Sequence, residues 1–325
     1  MDPASPLLFI VNSASGSNDS EATRAAIEAA LAAAGRTGEF LRAVPGELSR
    51  VARQAAETAL ARRSAVVAVG GDGTLNTVAQ AALAQGCVMG VVPQGTFNYF
   101  GRTHGIPTDA AEATRALLRS APVPVQVGLI NDRVFLVNAS LGLYPELLQD
   151  REAYKVRFGR SRLVALVSSV VTLLGPHRQL RLRIELGGQA RNVATPTLFV
   201  GNNRLQLEQV GLQQAPALDA GCVAAVMLRP IGTLAMLGLM LRGAIGTLGE
   251  ASTVESFEFQ RMLVTPRLGF ARRRVKVAFD GEVSWLRAPL DFRVSPTPLY
   301  LLKPVGDEAT GAAADAVTSS GPGSA

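Results

Sequence analysis

The chain of 325 residues is poor in the residue types that build disulfide frameworks and metal clusters. It has two cysteines, Cys87 and Cys222, far apart and each at the start of an apolar run, which favours buried free thiols in a reducing compartment. Its two histidines, His104 and His177, have no neighbouring nucleophile, and no Cys/His group has the spacing of zinc ligands. A disulfide scaffold and a zinc domain are therefore excluded.

Lysine is also scarce, so the basic character of the chain comes almost entirely from arginine. The formal net charge is +6, and residues 151–183 carry eight arginines and lysines against one acid, Glu152. A second basic run spans residues 272–276. Such runs are commonly solvated faces, but they also suit anionic lipid or phosphorylated substrates. No nucleic-acid-binding pattern is present, so no nucleic-acid partner is expected.

Targeting and membrane-spanning signals are weak. The residues before the first apolar run lack the basic region of a secretory signal. Residues 231–248 form the best candidate span, but Arg242 interrupts the segment and four glycines dilute it. We expect a helix that packs on the protein or lies at a membrane surface, in a cytoplasmic protein.

The first third of the chain alternates short apolar runs with helical patterns. Strands are predicted at 7–11, 40–44, 65–69 and 88–92, and helices at 19–34, 47–63, 74–85 and 109–119. Strands this apolar, separated by helices, indicate a parallel sheet covered on both faces. Residues 1–123 are therefore predicted to form a Rossmann-like α/β domain.

The pattern changes at Pro122-Val123-Pro124. Runs of β character follow at 125–130, 134–140, 180–186, 196–201, 222–228, 253–259, 274–279, 290–294 and 298–302. Helical inserts are predicted at 145–174 and 231–248. The sequence thus predicts an antiparallel β-sandwich-type domain over 124–305 and a disordered tail over 306–325.

The run Gly70-Gly71-Asp72-Gly73-Thr74 lies between an apolar strand and a helix. Glycines remove the Cβ atoms that would keep a ligand from the backbone. The start of a helix offers N–H groups and a positive dipole end to an anion. Asp72 adds a carboxylate where a phosphate-bound cation could sit. The pattern indicates phosphate handling, and an ordinary tight turn is the alternative.

Two further loops follow strands in the same way, at residues 12–16 and 93–98. In a parallel sheet all three loops lie at the carboxyl edge, where ligands bind. Their hydroxyls, amides and glycines suit a polyphosphate and its ribose. Neither a P-loop with lysine nor a Gly-x-Gly-x-x-Gly after the first strand is present, which argues against ordinary dinucleotide binding.

Three motifs in order resemble the diacylglycerol kinase catalytic-domain family, which includes bacterial lipid kinases and the sphingosine and ceramide kinases. These are Gly70 to Asn76, Pro93 to Asn98, and Asp280-Gly281-Glu282. Residues 12–16, 138–142 and 200–203 support the match, which runs from about residue 7 to 304. The resemblance implies an ATP-binding α/β domain, a β-sandwich that contributes the lipid side, and an active cleft between them.

The resemblance also implies roles for individual residues. Glu282 would be the general base that accepts the proton of the lipid hydroxyl, with Asp280 beside it. Mg²⁺ would be held with the phosphates by Asp72. The residues expected at ATP are Asn12, Ser13, Ala14, Ser15, Gly16, Gly70, Gly71, Asp72, Gly73, Thr74, Leu75, Asn76, Gly95, Thr96 and Asn98.

Three positions depart from the family pattern. Thr77 and Tyr99 stand where acids are usual, and Ala220 replaces the aspartate of a structural Mg²⁺ site, with Asp219 one place early as the remaining candidate ligand. The departures leave a catalytically inactive lipid or nucleotide sensor as an alternative. An NAD kinase, which shares Gly-Gly-Asp-Gly, is a weaker one.

The partners that follow are a lipid substrate and an anionic membrane surface, with peripheral association at the inner membrane face. A homodimer is left open.

Overall fold

The computed structural model describes two compact units, Met1–Val125 with Leu299–Ala325, and Gln126–Pro298. The described residues are 2, 5–12, 17–44, 46–95, 97–143, 145, 179–212, 214–230, 232, 238, 239, 242, 246–267 and 274–304.

The first unit is a mostly parallel six-stranded sheet with helices between its strands. Its strands are β1 (Leu7–Asn12), β2 (Gly38–Ala43), β3 (Ala65–Gly70), β4 (Val88–Pro93), β5 (Ser120–Val125) and β18 (Leu299–Pro304). Its helices are α1 (Ser17–Ala33), α2 (Leu48–Ala61), α3 (Asp72–Gln85), α4 (Tyr99–Thr103) and α5 (Ala110–Leu118). The strand order is β2-β1-β3-β4-β18-β5.

The apolar runs form the predicted parallel core of this sheet. β1, β3 and β4 pair in parallel, and every residue of β3 is buried. Burial on both faces explains the uninterrupted valines and alanines of β3. Helix α2 contributes alanines at helical spacing to the same core, namely Ala52, Ala55, Ala56 and Ala59. The α/β fold class predicted for this part of the chain is confirmed.

The last strand of the chain returns to this first sheet. β18 pairs in parallel with β4 and antiparallel with β5. The sequence placed residues 298–302 in the second domain, up to residue 305. The observed pairing puts Leu299–Pro304 in the first unit instead, because Leu301 and Leu302 are buried in its core.

The second unit contains two antiparallel six-stranded sheets, as predicted for a β-sandwich. One has the order β10-β9-β14-β17-β6-β7, and the other β13-β12-β11-β8-β15-β16. The strands are β6 (Gly128–Ile130), β7 (Arg133–Phe135), β8 (Asn138–Gly142), β9 (Leu180–Leu186), β10 (Gln189–Thr195), β11 (Thr197–Gly201), β12 (Val223–Leu228), β13 (Val254–Phe259), β14 (Arg261–Pro266), β15 (Arg274–Phe279), β16 (Glu282–Arg287) and β17 (Leu290–Val294).

One apolar core lies between these two sheets. Leu141, Val200 and Val277 from one sheet meet Val264 and Phe292 from the other, and all five are buried. A smaller cluster covers the outer face of the second sheet, where helix α6 (Arg204–Gln209) and a 3-10 turn (Ala215–Leu218) pack on β12. Each sheet therefore presents alternate residues to the shared core.

The two predicted helical inserts fall largely outside the described residues, as does the tail at 306–325. Within the ranges that are described, no helix has both the length and the apolar character required to span a membrane.

Candidate functional site

The structure brings two of the predicted loops and the end of β1 together at the carboxyl edge of the first sheet. Asn12, the last residue of β1, donates from Nδ2 to the Thr74 hydroxyl at 3.2 Å. The amide of Gln94 donates to the Gly70 carbonyl at 2.9 Å, which ties the loop after β4 to the loop after β3. Residues 13–16 and Thr96 lie outside the described residues.

Gly71 and Gly95 bring the backbones of two loops into direct contact. A Cβ atom built on Gly71 would lie 3.7 Å from the Cα of Gly95, and one built on Gly95 would lie 3.4 Å from the Cα of Gly71. Among the described residues, only backbone lies near the Gly71 position, and the Asn98 Oδ1 lies 2.8 Å from the Cβ position of Gly95. The result is a surface of bare backbone at the start of α3, which a phosphate can approach closely.

Helix α3 begins at this surface without a side-chain cap. Its N-cap residue is Gly71, in extended conformation, and no side chain of the described residues accepts a capping hydrogen bond there. The first-turn N–H groups of a helix have no partner within the helix, and the helix dipole is positive at this end. The 14-residue helix thus presents the anion-binding end that the sequence predicted.

Asp72 is the first residue of α3, and one of its oxygens is unusual. Oδ1 is buried and has no hydrogen-bond partner among the described residues. Burial also raises the pKa of this carboxyl above its ordinary value, because the charged form loses water. An orphaned carboxylate oxygen beside bare backbone fits a ligand that brings positive charge, such as a metal-bound phosphate.

Asn98 holds the third loop in a strained shape. Its backbone is left-handed, with φ 47°, and its side-chain oxygen accepts from the Gly95 amide at 2.9 Å. Asn98 is buried, so this hydrogen bond is shielded from water and fixes the position of Gly95. Leu75 is fully buried in the core, so only its backbone is available to a ligand.

The two family departures near this loop have defined surroundings. The Thr77 hydroxyl donates to the Gly73 carbonyl at 3.0 Å, within the first turns of α3. Tyr99 stacks on Phe97 with ring centroids 5.9 Å apart. Neither side chain supplies a carboxylate.

The second unit contains the predicted Asp-Gly-Glu turn. Asp280 and Gly281 both have positive φ, 47° and 86°, and they join β15 to β16 as a two-residue hairpin loop. Positive φ at both central positions is the type I′ turn that Asp-Gly favours.

Asp280 is buried, and both of its carboxylate oxygens accept backbone hydrogen bonds. The amides of Val137 and Asn138 donate to Oδ1 at 2.8 and 3.0 Å, and the amide of Leu136 donates to Oδ2 at 2.7 Å. The sequence grouped Asp280 with the catalytic residues. The structure gives it three backbone donors, so its carboxylate fixes the hairpin against the segment before β8.

Glu282, the first residue of β16, lies directly after this turn. It is exposed and stands opposite Phe279 in the ladder. Glu282 is thus an accessible carboxylate on a turn that Asp280 locks in place.

An amide network beside the turn was not assigned a role from the sequence. Asn202 donates to the Leu136 carbonyl at 3.1 Å and accepts from Gln126 at 2.8 Å, and Asn138 donates to Gln206 at 3.0 Å. The recurring Asn in residues 138–142 and 200–203 was the available signal. Oδ1 of Asn138 and the hydroxyl of Ser140 are buried without a partner in the described part of the chain.

Asp219, the predicted ligand of a structural Mg²⁺, lies at the surface of the second unit. Its side chain is 67% exposed, and its carboxylate pairs with Arg204 at 2.7 Å. Among the residues described, no group of three His, Cys, Asp or Glu side chains could hold a metal. The ion pair takes up the carboxylate, so we derive no chemistry from a metal there.

Comparison with known proteins agrees with these motifs. The model of the diacylglycerol kinase catalytic domain matches residues 6–130. A protein named probable lipid kinase YegS-like in Chromohalobacter salexigens is 32% identical over 243 residues, which cover 73% of this chain and 74% of that protein. The chain belongs to the diacylglycerol kinase catalytic-domain family of lipid kinases.

Other members of this family match over different lengths. The probable lipid kinase YegS-like protein of Klebsiella pneumoniae strain 342 is 39% identical over 79 residues, which span 24% of this chain and 27% of that protein. The crystal structure of a diacylglycerol kinase from Bacillus anthracis strain Sterne is similar in fold. It has a TM-score of 0.67 and 19% identity, and the match covers 92% of this chain and 96% of that one.

Proposed function

We propose that this protein transfers the γ-phosphate of ATP to the hydroxyl of a diacylglycerol-like lipid. Membership of a lipid kinase family supports the reaction class. The observation that carries the proposal is the buried Oδ1 of Asp72 at the start of α3, which has no hydrogen-bond partner among the described residues.

The donor side of the reaction is assigned to the first unit. The bare backbone at Gly71 and Gly95 and the N-terminus of α3 bind the phosphates of ATP. The side chains of Asn12 and Thr74 lie on the same edge of the sheet and hold the loops in register. Phosphoryl transfer depends on such positioning and on charge neutralisation more than on covalent chemistry.

Asp72 is the residue that would hold Mg²⁺ with the phosphates, because its orphaned oxygen is the ligand type this ion prefers. The ion would supply charge neutralisation on the transferring phosphoryl group. The chain itself contributes the fixed carboxylate and keeps it poorly solvated before ATP binds.

The acceptor side is assigned to the Asp280–Glu282 turn of the second unit. The lipid hydroxyl oxygen forms a bond to the γ-phosphorus, and the bond between that phosphorus and the bridging oxygen breaks to release ADP. The carboxylate of Glu282 accepts the hydroxyl proton. Asp280 keeps the turn in one conformation through its three backbone hydrogen bonds, and so acts as a positioning residue.

A diacylglycerol-like substrate places the protein at a membrane. We propose that it works from the cytoplasm, as a peripheral protein on an anionic inner surface, either as a monomer or as a homodimer. The arginine content of the chain is consistent with anionic lipid.

Transfer of radiolabelled phosphate from ATP to diacylglycerol in mixed micelles tests the proposal. We expect Glu282→Gln to lower kcat by about 100-fold or more, the usual range for loss of a general base, with the Kd for ATP unchanged. Glu258→Gln is the matched control, because Glu258 is an exposed glutamate on β13, at the opposite edge of the same sheet.

Three outcomes would contradict the proposal in different ways. Label transferred only to NAD would indicate an NAD kinase. ATP binding without turnover on any lipid would indicate a sensor. Full activity of Glu282→Gln would remove Glu282 as the base and leave the donor site standing.

A further inference from the structure

The β15–β16 hairpin that carries Glu282 has a distinctive outer face. Val275 and Val277 point into the sandwich core, so Arg274 and Lys276 point away from it. The ladder pairs Arg274 with Arg287 and Lys276 with Trp285. Cross-strand partners share a face, so three cations and one tryptophan lie side by side on the outside of this edge hairpin.

Trp285 is the most exposed large apolar side chain in the described residues. Its exposure is 59%, against 49% for Leu60 and 47% for Phe97. A tryptophan gains from burial of its ring while its N–H remains near water, and it is therefore enriched at membrane–water interfaces. This position leaves most of that gain unused within the fold.

Arg274 and Arg287 face each other directly across the ladder. Like charges in such pairs destabilise a sheet. Among the described residues neither arginine forms an ion pair with an acid, although arginines elsewhere in the unit do, such as Arg261 with Asp291. The arrangement costs stability in the isolated chain and would be relieved by an external anion.

We propose that this face, formed by Arg274, Lys276, Trp285 and Arg287, docks on an anionic lipid bilayer, with the Trp285 ring in the headgroup region. Cations near an anionic leaflet gain binding energy, and the aromatic ring adds an apolar anchor. Glu282, the proposed base, is the first residue of β16 and so belongs to the same hairpin. Docking of the hairpin would therefore hold Glu282 near the membrane surface. Only this last link depends on the proposed function.

A lipid surface fits this face better than a second copy of the chain does. A two-fold contact through the face would place the same cations against one another. The face also combines a single aromatic ring with three cations, the pairing found in interfacial anchors. Nucleic acid remains an alternative that the experiment separates.

The chain has one tryptophan, so emission excited selectively from tryptophan reports this site alone. The full chain is titrated with vesicles of phosphatidylcholine containing phosphatidylglycerol, and with vesicles of phosphatidylcholine alone. We expect a blue shift of the emission with the anionic vesicles, quenching by brominated acyl chains, and loss of both signals at high salt.

The variant Arg274→Gln/Arg287→Gln should bind anionic vesicles about 30-fold more weakly, from the contribution usual for two interfacial charges. Its thermal stability should be unchanged or higher, because a like-charge pair is removed. The control Arg133→Gln/Arg267→Gln changes two exposed arginines at the other sheet, one on β7 and one directly after β14, and should bind as the unaltered chain does.

Vesicle binding without a shift in Trp285 emission would overturn the proposal, because another surface would be the one in contact. An equal loss of binding in the control variant would overturn it too, as would a blue shift with duplex DNA in place of vesicles. A protein that binds vesicles with the shift but transfers no phosphate would refute the proposed function and leave this inference intact.

Discussion

Asp72 and Asp280 each follow a strand, one in each unit, and their carboxylates differ in how many hydrogen bonds they accept. Asp280 is buried, and each of its oxygens accepts at least one of three hydrogen bonds from backbone N–H groups. Asp72 is half-buried, and its Oδ1 has no partner in the described chain. A carboxylate whose bonds are all made within the fold stabilises that fold, whereas one left unpaired costs stability and is available to a ligand.

One of these two aspartates has a structural role, and the other is a candidate for ligand binding. In the second unit the buried carboxylate fixes a turn, and the exposed Glu282 beside it is the reactive candidate. In the first unit the half-buried carboxylate of Asp72 is itself the candidate ligand, and glycine backbone supplies the rest of the surface. Substitutions at these positions should therefore move stability and activity in different proportions.

The largest effect is expected on stability at Asp280. Asp280→Ala would leave the amides of Leu136, Val137 and Asn138 without their acceptor in a buried setting. We expect a loss of about 3–5 kcal/mol in the free energy of unfolding, since each unsatisfied buried donor costs about 1–3 kcal/mol. Urea denaturation measures it.

Asp132→Ala is the control for that experiment, because the Asp132 side chain is fully exposed. Its ion pair with Arg293 is long, at 3.8 Å between nitrogen and oxygen. It should change the free energy of unfolding by about 0.5 kcal/mol or less. If the two variants were equally stable, the three hydrogen bonds would not be what holds the turn.

Substitution of Asp72 should reduce activity without reducing stability. Asp72→Asn is expected to lower phosphate transfer by about 100-fold or more, the scale for loss of one transition-state electrostatic contact. The folded state raises the pKa of this carboxyl, so folding favours the protonated form and the charged form costs stability at neutral pH. Removing the charge should therefore leave the Tm equal or higher.

Thermal melts at pH 4, near the ordinary carboxyl pKa of 3.8, and at pH 8 check the sign of this effect. The stability cost of charged Asp72 is present above its folded pKa and is relieved as the pH falls, so the Tm advantage of Asp72→Asn should be greater at pH 8. A lower Tm for Asp72→Asn at both values would show that the carboxylate supports the fold as Asp280 does.

The strands and loops that show a local sequence pattern were predicted from the sequence. The buried strands β1, β3 and β4 are continuous apolar runs, and the glycines at 70, 71 and 95 mark the loops after β3 and β4. The fold class followed from these patterns, and the family from the resemblance of the motifs at residues 70–76, 93–98 and 280–282. Strand β10 was missed because it is an exposed edge strand of polar residues, which lack the alternation of a half-buried strand.

What the sequence could not supply are pairings between distant segments. The donors to Asp280 lie more than 140 residues earlier in the chain, so its supporting role was not visible. Strand β18 joins the first sheet only through its contacts with β4 and β5. The pairing of Asp219 with Arg204 is equally hidden in the sequence.

The smallest expected effect distinguishes a phosphate-binding surface from an ordinary tight turn. A Cβ at Gly71 meets only the Cα of Gly95 at an ordinary distance of 3.7 Å, and the backbone conformation there suits alanine. A Cβ at Gly70 would lie 2.7 Å from the Thr74 side chain, which is buried. Gly70 is therefore required for packing against Thr74, whereas Gly71 leaves open the surface that a phosphate could approach.

Gly71→Ala should lower the free energy of unfolding by about 1 kcal/mol, because alanine is a poorer N-cap than glycine. No further loss is expected from packing, since the added methyl group meets only the Cα of Gly95 at an ordinary distance. It should weaken ATP binding by about 10-fold, which calorimetry with Mg²⁺ and ATP measures, because the methyl group occupies the surface that the phosphates approach. Gly70→Ala should instead lose about 1–3 kcal/mol of stability through overpacking against Thr74. Unchanged ATP affinity in Gly71→Ala would mean that these glycines serve only the turn, since the methyl group would then stand where no phosphate comes.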